Sequence, residues 1–152
     1  MSDPLILGIE STCDETGVAL VRGRELLADV TATSMDQYAR FGGIIPEIAS
    51  RAHLESFLPT LDAALEKAGV DLGEVDAVAV CAGPGLLGSL TVGISAAKAL
   101  AASLNRPIYG VNHVIGHLAV DELVDGPLPE RFVGLIVSGG HSNLLCLRDI
   151  AT

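Results

Sequence analysis

Aromatic residues make up only 3% of this 152-residue sequence, so its interior has to be aliphatic. Cysteine is also sparse. Cys13, Cys81 and Cys146 are odd in number, far apart and without a CxxC pair, which removes a disulfide framework and a cysteine zinc site and leaves buried or loop thiols. Nine Lys and Arg stand against 19 Asp and Glu, a formal charge of −10, and the nine are scattered. This charge works against a broad nucleic-acid-binding face, and any RNA contact must be local or shared. No apolar run reaches bilayer length, and the opening MSDPLILG lacks the basic start and small-residue cleavage site of a secretory signal, so the chain reads as cytoplasmic.

What is present is apolar and glycine-rich. Apolar residues form 49% of the chain, charged residues 18%, and glycines number 17, which suits an α/β protein of single-domain size with several tight turns. Leu5–Glu10, Gly17–Val21 and Leu26–Thr33 predict an antiparallel meander. From Ile44 to Ala68 apolar residues recur at helical steps, which predicts a long helix closed by Gly69, with a kink or break near Glu55 to Leu58 because Pro59 removes a hydrogen bond. Ala77–Cys81 and Pro107–Val111 predict two buried strands, made parallel by a crossing helix at Leu90–Leu104. Asn112 is a plausible N-cap for another helix running toward Val124. The expected architecture is a mixed five-stranded sheet flanked by helices.

The segment DGPLPER predicts a linker at 125–131, between a lobe at 1–124 and a hairpin within 132–152 whose strands are Phe132–Ser138 and Asn143–Arg148. A hairpin alone is marginally stable. Phe132, Leu135, Val137, Leu145 and Leu147 would expose apolar surface unless more chain or a second copy covered them. The expectation is therefore one lobe plus the first strands of a truncated second, with a homodimer of the fragment as another possible cover.

The polar residues cluster in turns. GIESTCDETGV crowds hydroxyls, carboxylates and one thiol between two apolar strands, so Glu10 to Thr16 could meet a phosphate with backbone N–H groups or merely satisfy its own backbone. Cys13 has no base beside it in sequence and reads as a packed thiol. GPGLLG has the GxGxxG spacing after a strand, but no acid follows before Asp121 to hold a ribose, so a nicotinamide site is disfavoured. The glycines either let the next helix pack closely or aim its N-terminus at an anion. His113 and His117 in NHVIGH share a helix face and could chelate one metal ion or be two surface or capped histidines. Val114 stands where a zinc peptidase has its glutamate. SGGHS offers two hydroxyls, an imidazole and close backbone approach to a phosphate or ribose, or is a plain glycine turn. His53 reads as structural or surface. The acid-free stretch between Asp76 and Asp121, with Lys98, Arg106 and two histidines, could admit an anion.

Taken in order, GIESTCDETGVAL, GGIIPEIASRAHLE, AGPGLLGSL, VNHVIGHL and VSGGHSNLL resemble the TsaD family, also called Gcp, YgjD or Kae1, over nearly the whole chain. The resemblance implies a lobe of the actin-like, sugar kinase and heat-shock ATPase superfamily. It implies transfer of a threonylcarbamoyl group from threonylcarbamoyl-AMP to N6 of the adenosine beside the anticodon, in tRNAs reading codons that start with A. By the same resemblance His113 and His117 bind one divalent metal ion per subunit, iron or zinc, completed by a distal Asp beyond this chain. Ile136, Val137, Ser138, Gly139 and Gly140, with His141 next, match the adenylate-substrate loop, and Glu10, Ser11, Thr12, Cys13 and Asp14 fall in the first nucleotide-side turn. Ser142 replaces a threonine common after GGH. Implied partners are tRNA, TsaB, TsaE and a TsaC-type supplier of the adenylate. The alternatives are a non-catalytic TsaB-like scaffold, which lacks the histidine pair, and the metallopeptidase of the older name, O-sialoglycoprotein endopeptidase. Without the distal Asp and later loops, the 152-residue piece is expected to be inactive alone.

Overall fold

In the computed structural model, which describes residues 3–35, 42–138 and 142–148, a period of two along β1 (Leu5–Glu10) decides which face of the sheet is buried. Leu5, Leu7 and Ile9 are at most 4% exposed and face the core, while Gly8 and Glu10 face the other way. β2 (Glu15–Arg22) and β3 (Glu25–Thr33) continue antiparallel, as the meander predicted. β4 (Ala77–Gly83) and β5 (Ile108–Asn112) run parallel to β1, and the sheet order is β3-β2-β1-β4-β5.

Two helices cover the core face. α1 (Pro46–Ala68) buries Phe57, Leu61 and Ala64, and α2 (Leu87–Leu104) buries Ala97 and Ala101, all in one cluster with Val18, Leu20, Val78 and Val80. Pro46 sits in the first turn, where its missing N–H costs nothing, and Gly69 closes α1 in the left-handed conformation, its N–H reaching the carbonyls of Leu65 and Glu66. Of the kink or break expected near Glu55 to Leu58, the break does not occur: α1 is continuous over 23 residues. Pro59 and Glu55 lie on the exposed face, so the lost bond falls on the solvent side while Phe57 and Leu61 hold the helix against the sheet.

Other expectations are corrected in detail. α2 begins at Leu87, three residues earlier than predicted, because the Leu86 N–H is fixed on the Thr12 carbonyl and winding starts there. At 18 residues and a mean hydropathy of 1.4, α2 is long and apolar enough to cross a membrane by length and composition, but it packs on β4 as a core helix. β5 is not a buried strand. It is the sheet edge, and every one of its residues is exposed. The helix predicted from Asn112 to Val124 is divided at Val120 into α3 (His113–Ala119) and α4 (Asp121–Val124), where bonding tightens to Leu123 N–H on the Val120 carbonyl. The N-cap is as expected: Asn112 Oδ1 accepts from the N–H groups of Val114 and Ile115 at 2.9 and 3.2 Å.

Residues 125–131 form neither helix nor strand, and β6 (Phe132–Val137) then pairs antiparallel with β7 (Ser142–Leu147) in a separate two-stranded sheet. Cys146 lies on β7 and is exposed, unlike the buried or loop thiol expected of it. β6 approaches α3 where Gly134 meets Leu118, so close that a Cβ there would lie 2.6 Å from Leu118 Cδ2.

Candidate metal and nucleotide site

Three parallel strands finish side by side. Glu10 ends β1, Gly83 ends β4 and Asn112 ends β5, and the carboxyl ends of parallel strands are where open α/β sheets receive ligands. The register puts Ile9 beside Val80, so Glu10 and Cys81 follow as neighbours, and Cys81 in turn pairs with Val111. α3 starts directly after β5 and brings His113 and His117 over the same spot.

Glu10 is the hinge of this cluster. Its Oε1 accepts the Thr12 N–H at 2.6 Å, and its Oε2 lies 3.1 Å from His113 Nδ1. Burial alone would raise the Glu10 pKa, but hydrogen bonds from Thr12, Cys81 and His113 overcome it and hold the carboxyl below its usual range. An ionised carboxylate only accepts, so His113 Nδ1 carries the proton and Nε2 is the basic nitrogen. Thr12 Oγ1 makes a longer contact to the same Nδ1, at 3.4 Å.

His113 Nε2 and His117 Nε2 are 3.2 Å apart, with the rings crossed at 77°. Two nitrogens each about 2.0–2.1 Å from a tetrahedral ion are separated by about 3.3 Å, so the pair fits one metal ion. The carboxylate on the far nitrogen of His113 is the outer partner such a ligand ordinarily has. Glu10, Cys81 and His113 also bring ligand atoms within 4.8 Å of one another, close enough to hold an ion. Burial, with the Glu10 charge adding to it, pushes the Cys81 thiol up to about 12, which makes Cys81 a proton donor to Glu10.

The turn from Ser11 to Asp14 is tied down from behind. Ser11 is 2% exposed, and its hydroxyl donates to the Ser89 carbonyl, so this side chain faces the interior. Burial, with the charges of Asp14 and Glu10, raises the Cys13 thiol, in keeping with a packed thiol rather than a nucleophile. The glycine corner is a packing device. A Cβ at Gly85 would come within 2.8 Å of the Thr12 carbonyl oxygen, and one at Gly93 would overlap Ser11 Oγ. Gly83 also takes φ +135°, which side chains rarely allow.

The cluster stands at one end of a cleft of about 480 Å³ on the sheet face opposite α1 and α2, floored by Gly8, Ala19 and Ala79. Arg106 is elsewhere. It precedes β5 and lies 3.8 Å from Asp76 at the opposite end of the strands, so it is not the cation of this site. Lys98 is exposed on α2.

Ile136 and Val137 lie on β6, buried and exposed respectively, and Ser138 follows as an exposed residue. Gly139, Gly140 and His141 lie outside the described residues. Sequence reasoning missed Cys81, whose place beside Glu10 depends on the parallel β1/β4 register, and undervalued His53, which is buried behind the turn.

A mixed sheet of this order, with helices on its core face and a polar turn at the ends of parallel strands, defines an α/β lobe open to a ligand at those strand ends. Within that class the chain belongs to the TsaD family, tRNA N6-adenosine threonylcarbamoyltransferase, whose model matches residues 25–152. Proteins of that description from Bifidobacterium longum and Bifidobacterium adolescentis are 61% and 60% identical to it over 99% of its length. The chain spans only 43% and 44% of those relatives. Its fold also resembles a Pseudomonas aeruginosa protein described as similar to peptidase YeaZ, with a TM-score of 0.63 at 21% identity over 93% of this chain and 63% of that one.

Proposed function

We propose that this chain supplies the metal-binding and nucleotide-facing lobe of a threonylcarbamoyl transferase acting on tRNA. The observation that carries the proposal is the His113/His117 pair, its Nε2 atoms 3.2 Å apart, with Glu10 fixing the other nitrogen of His113. In the transfer, N6 of the adenosine bonds to the carbamoyl carbon of threonylcarbamoyl-AMP. The bond from that carbon to the phosphate oxygen breaks, AMP leaves with the electron pair, and N6 gives up a proton. A weakly nucleophilic amine gains most here from positioning and from charge stabilisation at the acyl oxygen. One divalent ion, iron or zinc, held by His113 and His117 with a further ligand from outside these residues, would supply Lewis-acid polarisation.

Cys13 and Asp14 would meet the phosphate end through their backbone N–H groups, and by the family resemblance the adenylate-substrate loop is the segment from Ile136 to Gly140, with His141 next. In this reading residues 1–124 are one lobe, 125–131 a linker, and β6 and β7 the opening of a second lobe. Partners are tRNA, TsaB, TsaE and a TsaC-type supplier of the adenylate, all in the cytoplasm.

The test joins this chain to the C-terminal remainder of the Bifidobacterium longum relative and measures metal content and threonylcarbamoyl transfer to a tRNA transcript. His113→Ala should lose bound metal and cut transfer by more than the roughly 10- to 100-fold typical of losing an outer partner. Unchanged metal and unchanged transfer would reject the site.

A further inference from the structure

His53 is a buried titratable group that the transfer chemistry leaves unused. It stands on α1, 1% exposed, with both ring nitrogens occupied: Nε2 lies 3.2 Å from the Cys13 carbonyl oxygen and Nδ1 lies 2.7 Å from the Thr16 hydroxyl. A carbonyl only accepts, so Nε2 carries the proton, and in the neutral ring Nδ1 accepts from Thr16. A histidine needed only for bulk would bury no such pair, because burying polar atoms costs free energy unless they are bonded.

The same turn is gripped at successive carbonyls. The Leu86 N–H donates to the Thr12 carbonyl at 2.8 Å. His53, and at 3.4 Å the Ser89 hydroxyl, hold the Cys13 carbonyl. The N–H and hydroxyl of Ser34 hold the Asp14 carbonyl at 3.1 and 2.7 Å. In a trans peptide the carbonyl and the next N–H point in opposite directions. Drawing the Thr12 and Cys13 carbonyls into the protein therefore turns the N–H groups of Cys13 and Asp14 away from it. Successive N–H groups held this way form a concavity for an anionic oxygen.

We propose that His53 is a positioning residue: from α1 it sets the Cys13–Asp14 peptide plane so that the Asp14 N–H meets the phosphate of the acyl adenylate. The phosphate part of this proposal rests on the function proposed above, whereas the orienting of the turn rests on the contacts alone.

The chain labelled with 15N-histidine should show His53 with a protonated Nε2 and a bare Nδ1, and the reverse tautomer overturns the proposal. His53→Leu keeps apolar volume and removes both bonds. It should shift the backbone amide signals of Cys13 and Asp14 and weaken binding of AMP, used as the probe, by about tenfold, as expected for one lost hydrogen bond. His53→Gln, with a side-chain N–H able to reach the Cys13 carbonyl, should recover most of both. A folded His53→Leu chain whose turn amides stay in place refutes the positioning role, and if that variant does not fold, the tautomer still decides. If the amides move in His53→Leu but AMP perturbs no signal in the unsubstituted chain, the nucleotide assignment fails while the positioning of the turn stands.

Discussion

The turn between β1 and β2 and the β6/β7 hairpin are supported in opposite ways. The β1/β2 turn is backed by α1 through His53, by α2 through Leu86 and Ser89, and by Ser34 at the end of β3. The β6/β7 hairpin belongs to a sheet of its own, with Val133, Leu135, Val137 and Leu144 all more than 60% exposed. Among the described residues, Gly134 of the hairpin meets Leu118 of the lobe, and Ile136 on the same face is buried. Apolar flanks and a polar middle are common to both sequences. What separates them is how much of the surrounding fold packs on the flanking strands, and local pattern does not encode that.

One substitution, glycine to alanine, probes both supports. Gly93→Ala should give the larger effect. Its Cβ would overlap Ser11 Oγ, and the Ser11 oxygen is buried and bonded to Ser89 on the same helix, so neither side can yield. Overpacking together with a disturbed buried hydrogen bond predicts a loss of about 3 kcal/mol, measurable as a lower urea midpoint. A loss below about 0.5 kcal/mol would mean that the turn is far less firmly backed than its contacts imply.

Much of the lobe was legible because its signals are local. The period of two in LILGIE, the three- and four-residue steps of α1, Gly69 at its end and Asn112 at the start of α3 each act within a few residues. The site was legible as residue types: Glu10, His113 and His117 all stand together. Three features were not legible. Cys81 depends on the register between strands some 70 residues apart, His53 on how α1 lies over the sheet, and the exposure of β5 on which strand ends the sheet. Pro59 was read as a kink or a break because it removes a local hydrogen bond, and tertiary packing kept the helix unbroken.

Gly134→Ala tests the weaker support and should give a smaller, more local effect. The new Cβ would lie 2.6 Å from Leu118 Cδ2, but that atom is the end of a flexible side chain that can rotate aside. A global loss under about 1 kcal/mol is expected, with faster hydrogen exchange confined to β6 and β7. Exchange quickened equally in β1 and β4 would show that the hairpin and lobe unfold as one unit.

The cysteines distinguish the same two regions without a packing change. Cys146 is exposed on β7, whereas Cys81 is buried on β4 with its thiol pushed to about 12, so iodoacetamide at pH 8 should alkylate Cys146 first and Cys81 slower by on the order of 100-fold or more. The raised pKa also has a consequence for stability. Between the ordinary value of 9.0 and about 12 the folded chain keeps the Cys81 proton while the unfolded chain gives it up. The unfolded state then binds fewer protons, so this contribution is complete below pH 9 and is lost as pH rises toward 12. Cys81→Ser should flatten that part of the stability curve relative to the unsubstituted chain, whereas Cys146→Ser should leave it unaltered. Equal slopes in both variants would mean that Cys81 is not shielded beside Glu10, and the tightly backed end of the sheet would then be as open as the hairpin.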